Sequence, residues 1–371
     1  MAVTLHKQEN CGIVMLNNPP VNAINQKMRE DLIDAVTWAE SEGLERVILS
    51  GMGRSFAAGA DTKEFDQPAI SPHLPDVVNR IETSTVPWIA AIHGTALGGG
   101  GELALGCRYR IARADATIGF PEVILGLVPG AGATQRLPRL VGLAEALKLI
   151  PTGKTISGKA AMTIGLVNAI DDDPVAAAKL IDQKILSEAV PLSLMKAGTD
   201  KTVNYDTARQ MAIRRMRGQE APLTAISLLE TAQTATFDHG MQKERNAFLT
   251  LRASPQARAL RHIFFAERAA KKPPKAIETQ KSTLKPLNHV IVIGGGTMGS
   301  GIAYAFLNAN IRVTILESDD AGMQRANTAI DTIISASLAS GHIDPQAATD
   351  RRHLLKVMMI QPDSDSGKRR N

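Results

Sequence analysis

Two glutamates in apolar surroundings are the residues of this chain best suited to acid–base chemistry. Glu102 follows four consecutive glycines, Gly98 to Gly101, and Glu122 lies between Pro121 and an apolar run. Partial burial raises the pKa of a carboxyl group toward neutrality, where it can take up and release protons during a reaction. Two such carboxylates can hold one water molecule and move its protons. The pair therefore predicts a proton-transfer site.

The glycines before Glu102 predict a backbone that binds negative charge. A strand over Trp88 to His93 runs into them, and a helix is expected over Glu102 to Gly106. The first N–H groups of a helix have no internal partner, and glycine lets a ligand atom come close to them. A second glycine-containing turn, Arg54 to Asp61, follows a strand expected at Arg46 to Ser50. We expect the two turns to form an oxyanion hole; the alternative is a pair of tight turns that only require glycine.

The elements that must position these turns alternate between strand and helix. A further strand is expected at Gly12 to Leu16 and a helix at Met28 to Glu40, which predicts an α/β domain over residues 1–190. The strand signal then fades. Helices are expected at Pro222 to Ala235 and Met241 to Lys272, and the polar segment Lys271 to Pro286 is typical of a linker. We therefore expect a helical connector with a linker over residues 191–285.

A second chemical motif begins in the last region, residues 286–371. The strand Val290 to Ile293 runs into a G-x-G-x-x-G pattern, a helix follows, and a second strand ends at Glu317, 18 positions after Gly299. This order of strand, glycines, helix and acid is the fingerprint of a dinucleotide-binding βαβ unit. The acid would hold a ribose 2′-hydroxyl, which favours NAD over NADP. The residues expected to contact the dinucleotide are Gly294, Gly296, Thr297, Met298, Gly299 and Glu317.

The motifs of the first region resemble the crotonase (enoyl-CoA hydratase/isomerase) family. FAAGAD, ALGGGGE, PEVILG and PGAGATQRLPRLVG occur in the family's order, and the resemblance covers at least Ile13 to Ala169. It implies a crotonase-like superhelix of ββα units. It also implies that Ala60 and Gly99 give the two N–H donors to a thioester carbonyl. Glu102 would activate the water that attacks C3, and Glu122 would deliver the proton to C2.

The same resemblance implies that coenzyme A thioesters are the substrates and that hydration requires no cofactor or metal. Arg54 and Lys63 flank the FAAGAD turn, where the family places basic contacts to the coenzyme A phosphates; ordinary solvated charges are the alternative. Ala58 and Asp61 of that turn are expected at the same site. The family forms both trimers and monomers, and the sequence does not choose between them.

The last region resembles the start of the 3-hydroxyacyl-CoA dehydrogenase family, through GGGTMGSGIA from Gly294. The order of the regions resembles multifunctional β-oxidation enzymes through about Arg352. One helix (Met323 to Ala339) and one strand (Leu354 to Ile360) are expected after Glu317. We expect an incomplete Rossmann domain in a truncated chain, which binds NAD but lacks the dehydrogenase's catalytic residues.

Composition limits the other classes of function. Hydrophobic residues make up 44% of the 371 residues and aromatic residues only 4%, and the net charge is +5. With few aromatics among the basic residues, we expect no nucleic-acid partner. There are two cysteines, no run of apolar residues long enough to span a membrane, and no recognised targeting signal. We therefore expect a cytoplasmic protein without a structural disulfide.

Two other functions stay open on the sequence alone. An isomerase-dominant crotonase needs only the equivalent of Glu122, so the presence of Glu102 favours hydration without excluding double-bond migration as a side activity. A non-catalytic remnant that binds acyl-CoA or NAD would keep the same motifs without turnover.

Overall fold

The computed structural model describes residues 2–198, 200, 203–271, 286–340 and 342–360. They belong to two compact units, Met1–Lys272 and Pro273–Asn371. The expected linker lies outside the described residues over 272–285.

A mixed six-stranded sheet forms the centre of the first unit. Its order is β1-β2-β3-β4-β6-β9, with β1 antiparallel to β2 and all the other pairs parallel. A smaller sheet has the order β5-β7-β8. The strands of both sheets are β1 (Val3–Gln8), β2 (Cys11–Leu16), β3 (Arg46–Gly51), β4 (Trp88–Ile92), β5 (Thr95–Leu97), β6 (Tyr109–Ala112), β7 (Thr117–Gly119), β8 (Thr155–Ser157) and β9 (Ala169–Ile170).

The expected strands of this unit are confirmed, and their composition explains their positions. Every residue of β4 is buried, as in a parallel strand that is covered on both faces. Helices surround the sheets. In the first half of the chain they are α1 (Gln26–Ser41), α2 (Leu74–Glu82), α3 (Gly99–Gly106), α4 (Ala133–Val141), α5 (Leu143–Leu149), α6 (Gly158–Thr163), α7 (Pro174–Lys179) and α8 (Gln183–Glu188). Short 3-10 turns lie at Thr62–Glu64, Pro121–Leu125 and Leu192–Leu194.

Two helix boundaries in the sequence prediction were wrong. Helix α3 begins at Gly99 rather than Glu102, so three of the four glycines form its first turn. The single helix expected over Met241 to Lys272 is two helices, because Ser254 caps a new helix with Pro255 at its first position. The helices after residue 190 are α9 (Tyr205–Arg215), α10 (Ala221–Thr234), α11 (Phe237–Ala253) and α12 (Pro255–Ala270).

Helices α9 to α12 belong to the first unit, so the packing continues past residue 190, where the α/β domain is expected to end. Leu228 and Leu229 of α10, Leu251 of α11 and Ala257 of α12 lie in the same buried core as strands β3 and β4. Apolar residues of α10, α11 and α12 therefore belong to the core that the sheets form.

The second unit is a three-stranded parallel sheet in the order β10-β11-β12, with helices between the strands. Its strands are β10 (His289–Ile293), β11 (Arg312–Glu317) and β12 (Leu355–Met359), and its helices are α13 (Thr297–Asn308), α14 (Asp320–Ala339) and α15 (Pro345–His353). The start of a Rossmann fold is thereby confirmed. Helix α15 was missed, although Asp344 caps it and Pro345 stands at its first position.

Candidate active site

Glu102 lies on the first turn of α3 and is held by backbone donors. Its side chain is buried, and Oε1 accepts hydrogen bonds from the N–H groups of Ala131 (2.7 Å) and Ala133 (3.1 Å). Those donors belong to the segment that leads into α4. Burial raises the pKa of Glu102, while the two N–H groups and the charges of Arg136 and Arg245 oppose that increase. The backbone bonds thus favour the ionised form of this buried carboxyl.

Glu122 lies on the 3-10 turn Pro121–Leu125 and has a different environment. Its Oε2 atom is buried and has no hydrogen-bond partner among the described residues. Burial, together with the charges of Glu102 and then Glu244, raises the pKa of Glu122 well above its usual range. Burial and charge repulsion therefore favour the protonated form of Glu122, whereas the backbone donors at Glu102 oppose protonation there.

The sequence analysis did not single out a third buried carboxylate at this site, Glu244 of α11. Its Oε1 accepts from the Gly132 N–H (2.6 Å), and Oε2 accepts from the Thr134 N–H (2.9 Å) and hydroxyl (2.6 Å). Burial and then the charge of Glu102 raise the pKa of Glu244 to about 8. Glu102 and Glu244 together accept the four N–H groups of residues 131–134, which are the otherwise unpaired donors at the start of α4.

The predicted oxyanion donors, Ala60 and Gly99, lie next to each other. A Cβ atom built on Gly99 would lie 3.4 Å from the Ala60 nitrogen. The N–H groups of Ala60 and Gly99 have no acceptor within the described ranges. Ala60 is held in place through a bridge to Ile24, and Gly99 is the first residue of α3. The structure therefore places these two N–H groups close to each other.

Gly98 joins this pair of donors to Glu122. Its φ is +52°, and a Cβ atom built there would lie 2.6 Å from Glu122 Oε1. Only glycine fits this conformation and leaves room for the carboxyl. The glycine run thus allows the backbone donors and Glu122 to approach one another.

The four residues expected to contact coenzyme A lie around the turn that ends at Ala60. Arg54 and Lys63 are exposed, and Arg54 Nε donates to the carbonyl oxygen of Pro20 (3.3 Å). The Ala58 N–H donates to Val21 O, and Asp61 Oδ1 accepts from the Lys63 N–H (3.0 Å). Asp61 therefore caps the following 3-10 turn.

The glycine turn of the second unit follows β10, as expected. Gly294 has φ +83° and donates its N–H to Leu316 O (2.8 Å). Gly296 caps α13, and Thr297 and Met298 begin it, with the Met298 side chain exposed. The Glu317 carboxylate accepts a hydrogen bond from the Gly295 N–H. These residues fit a dinucleotide, because a glycine turn, a helix N-terminus and an acid meet at the ends of β10 and β11.

The geometry of the first unit defines the class: an α/β fold with two carboxyl groups beside two backbone N–H groups that have no acceptor among the described residues. Residues 6–249 match the family model described as enoyl-CoA hydratase/isomerase, and residues 289–366 match that of the 3-hydroxyacyl-CoA dehydrogenase NAD binding domain. The chain belongs to the enoyl-CoA hydratase/isomerase family, with the start of a 3-hydroxyacyl-CoA dehydrogenase domain after it.

Curated relatives share this order of regions. The peroxisomal bifunctional enzyme of Cavia porcellus is 37% identical over 346 residues, covering 90% of this chain and 48% of that protein. The human protein of that name is 36% identical over 345 residues, covering 89% and 48%. The fatty acid oxidation complex subunit alpha of Shewanella baltica is 32% identical over 352 residues, covering 90% and 49%. This chain spans about half the length of these relatives.

A solved structure supports the fold of the first unit. The enoyl-CoA hydratase/isomerase of Pseudoalteromonas atlantica superposes with a TM-score of 0.53 at 23% identity, covering 72% of this chain and 98% of that one. This likeness concerns the fold alone. Among the described helices, none combines the length and apolar character needed to cross a bilayer.

Proposed function

We propose that this chain hydrates trans-2-enoyl-CoA to 3-hydroxyacyl-CoA in fatty-acid β-oxidation. The observation that carries the proposal is that two carboxyl groups lie near two N–H groups without an acceptor among the described residues. Backbone donors hold one carboxyl, Glu102, whereas Oε2 of the other, Glu122, has no partner there. The curated relatives named for fatty-acid β-oxidation support the pathway. Isomerisation of the double bond is proposed as a side activity, because it needs only a proton carrier such as Glu122.

In the proposed reaction, the Glu102 carboxylate removes a proton from water while the water oxygen attacks C3. The electron pair of the C2–C3 double bond moves toward the thioester, and its oxygen becomes an enolate that accepts hydrogen bonds from the Ala60 and Gly99 N–H groups. Glu122 then donates its proton to C2. Because C3 gains hydroxide and C2 gains a proton, the atoms of one water are added.

The direct test follows the absorbance of the enoyl-thioester in a short trans-2-enoyl-CoA. Wild-type protein is expected to remove it with multiple turnovers. A chain that is stabilised against heat by acyl-CoA but shows no turnover would instead be a binding remnant. NAD and a 3-hydroxyacyl-CoA in a parallel reaction measure whether NADH is formed from the product.

We also propose that coenzyme A is bound beside Arg54, Ala58, Asp61 and Lys63, and that the second unit binds NAD. The contacts proposed for NAD are Gly294, Gly296, Thr297, Met298, Gly299 and Glu317. NAD, when bound, supplies an acceptor for hydride. A cytoplasmic location remains part of the proposal, whereas the names of several relatives place those proteins in peroxisomes. Cell fractionation decides between the two locations.

Replacement of Gly98 by alanine is expected to lower kcat for hydration by roughly 100-fold or more, since it disturbs both Glu122 and the oxyanion donors. The new methyl would lie 2.6 Å from Glu122 Oε1. Gly142→Ala is the matched control: φ is +84° there, and nothing lies within 4 Å of the added Cβ. Steady-state kinetics and melting temperatures are measured for both variants. Backbone strain is common to both, so a loss of kcat in Gly98→Ala alone reports the clash with Glu122. Equal activity of the two variants would refute the argument.

Gly299→Ala is expected to abolish NAD binding while hydration continues. A Cβ atom at Gly299 would lie 1.8 Å from Gly294 O, so α13 could not stay close to the glycine turn. Gly301→Ala, with nothing within 4 Å of its Cβ, is the control on the same helix. Calorimetric titration with NAD measures the effect. Wild-type affinity in Gly299→Ala would show that this turn is not the NAD site.

Glu244→Gln is expected to move the alkaline limb of the kcat–pH profile to lower pH. The Glu244 charge helps to raise the pKa of Glu122. Without it the pKa of Glu122 falls, and the proton donor is lost earlier as pH rises. Thr134→Val, which removes one partner of Glu244 but no charge, is the control. A profile with lower kcat and an unmoved limb would mean that Glu244 has only a structural role.

A further inference from the structure

A cavity of about 100 Å³ opens beside the proposed oxyanion hole. Ala60 and Leu74 line it on the side of the hole, and Phe65 and Phe248 add apolar wall. An acyl chain bound through its thioester at the Ala60 N–H has this cavity next to it. A cavity of this volume has room for the end of a short acyl chain.

Three arginines also line the cavity, and two of them form hydrogen bonds with the protein. Arg29 pairs with Glu64 Oε2 (2.7 Å) and donates to Pro72 O (2.7 Å). Arg252 donates to the carbonyl oxygens of Phe65 (2.8 Å) and Glu64 (2.9 Å). These two guanidinium groups hold the loop around Glu64 in place.

The third, Arg245, has no hydrogen bond or ion pair within the described part of the chain. Its side chain is half-buried, and the guanidinium lies over the Phe248 ring, 5.5 Å from the ring centre. Guanidinium has five N–H donors, so removing it from water without an acceptor is costly. Burial accordingly lowers the pKa of Arg245.

Within the described part of the chain, the acids around Arg245 form hydrogen bonds with other groups and none forms an ion pair with it, although the charges of Asp76 and Glu244 act on it from a distance. Glu64 accepts from Arg29 and from the Gln26 N–H (2.7 Å), and Asp61 accepts from the Lys63 N–H. Asp76 accepts from the His73 N–H (2.8 Å). Glu244, the neighbour of Arg245 in sequence, is directed to the start of α4. Arg245 therefore has N–H donors that are free to bind an anionic group of a ligand.

We propose that Arg245 determines substrate specificity by binding an anion, such as a carboxylate, at the far end of the acyl group. The preferred substrates would then be short enoyl-CoA thioesters whose acyl chain has an apolar middle and an anionic end. The apolar walls would contact the methylenes, and Arg245 would form a charge-assisted hydrogen bond with the anion. This proposal rests on the proposed hydratase function.

The test compares trans-2-hexenoyl-CoA with its analogue in which the terminal methyl is replaced by a carboxylate. The measured quantity is the ratio of kcat/KM for the two thioesters, since an effect of Arg245 on Glu102 or on coenzyme A binding cancels in it. The wild-type ratio is expected to favour the carboxylate by roughly tenfold or more, and Arg245→Gln to remove that preference. Arg245→Lys should restore part of it. Lys243→Gln removes an exposed charge from the same helix and should leave the ratio unchanged.

Each outcome has one meaning. Hydration of hexenoyl-CoA without any preference for the carboxylate would overturn this proposal and leave the hydratase function intact. A uniform rise in KM for both thioesters in Arg245→Gln, with the ratio unchanged, would assign Arg245 to coenzyme A and also overturn it. No turnover of either thioester by the wild type would instead refute the proposed function.

Discussion

Glu122→Gln is expected to lower kcat for enoyl-CoA hydration by roughly 100- to 10,000-fold, the range found for loss of a general acid or base. Glutamine has nearly the same shape as glutamate but cannot deliver a proton to C2. The Glu122 Oε2 atom has no partner among the described residues, so no hydrogen bond at that atom is lost. The fold should therefore persist, which circular dichroism and thermal unfolding would confirm, while loss of the thioester absorbance becomes slow.

Two further variants sharpen this prediction. Glu188→Gln changes an exposed carboxylate in the same way and should keep wild-type activity. Glu102→Gln should abolish hydration as well, because the water would lose its base. If Glu102→Gln still moved double bonds at the wild-type rate, the chain would be an isomerase first. Full hydration by Glu122→Gln would remove Glu122 from the mechanism altogether.

Arg136→Met is expected to lower the free energy of unfolding by about 3–5 kcal/mol, the usual cost of breaking a buried ion pair from one side. Arg136 on α4 and Glu82 on α2 lie 2.7 Å apart, with side chains 0% and 3% exposed. Arg136 also donates to Asn79 Oδ1 (2.7 Å) and Ala131 O (3.1 Å). Methionine fills similar space but leaves a buried carboxylate without its counter-ion.

Urea unfolding followed by tryptophan fluorescence measures this loss, because Trp38 and Trp88 both lie in the first unit. Arg113→Met is the matched control, since Arg113 pairs with Asp115 at the surface, where water screens the two charges and the pair contributes little to stability. Equal destabilisation by the two variants would show that burial of the Arg136–Glu82 pair has no special cost.

The sequence predicted the apolar surroundings of Glu102 and Glu122 because the signals are local, and their acid–base roles stay a prediction. Glu102 and Glu122 each stand beside glycine or proline and an apolar run, so their burial could be expected from neighbours in the chain. Glu244 was missed because it reaches the site from a helix 142 positions after Glu102. A signal existed nonetheless: Gly240, Glu244, Phe248 and Leu251 follow helical spacing, which places a carboxylate on an apolar face.

The fold shows the same division between local and distant information. The strands at Arg46 and Trp88 are apolar runs and were predicted closely. The break of the long helix at Ser254-Pro255 could also have been predicted, because serine followed by proline is a helix start. That α9 to α12 pack on the first unit depends on contacts with residues far back in the chain, which no local pattern contains.

The shared capping of α4 has a consequence for how this protein can be divided. Glu244 supplies two of the four backbone contacts at the start of α4, and Glu102 supplies the others. A fragment that stopped near residue 190 would keep every motif of the proposed hydratase. It would still lose two of the four hydrogen bonds that hold the start of α4, the segment that binds the Glu102 carboxylate. Exchange of the proposed hydratase region between relatives therefore requires a junction after the end of α11 at Ala253, so that Glu244 stays with Glu102.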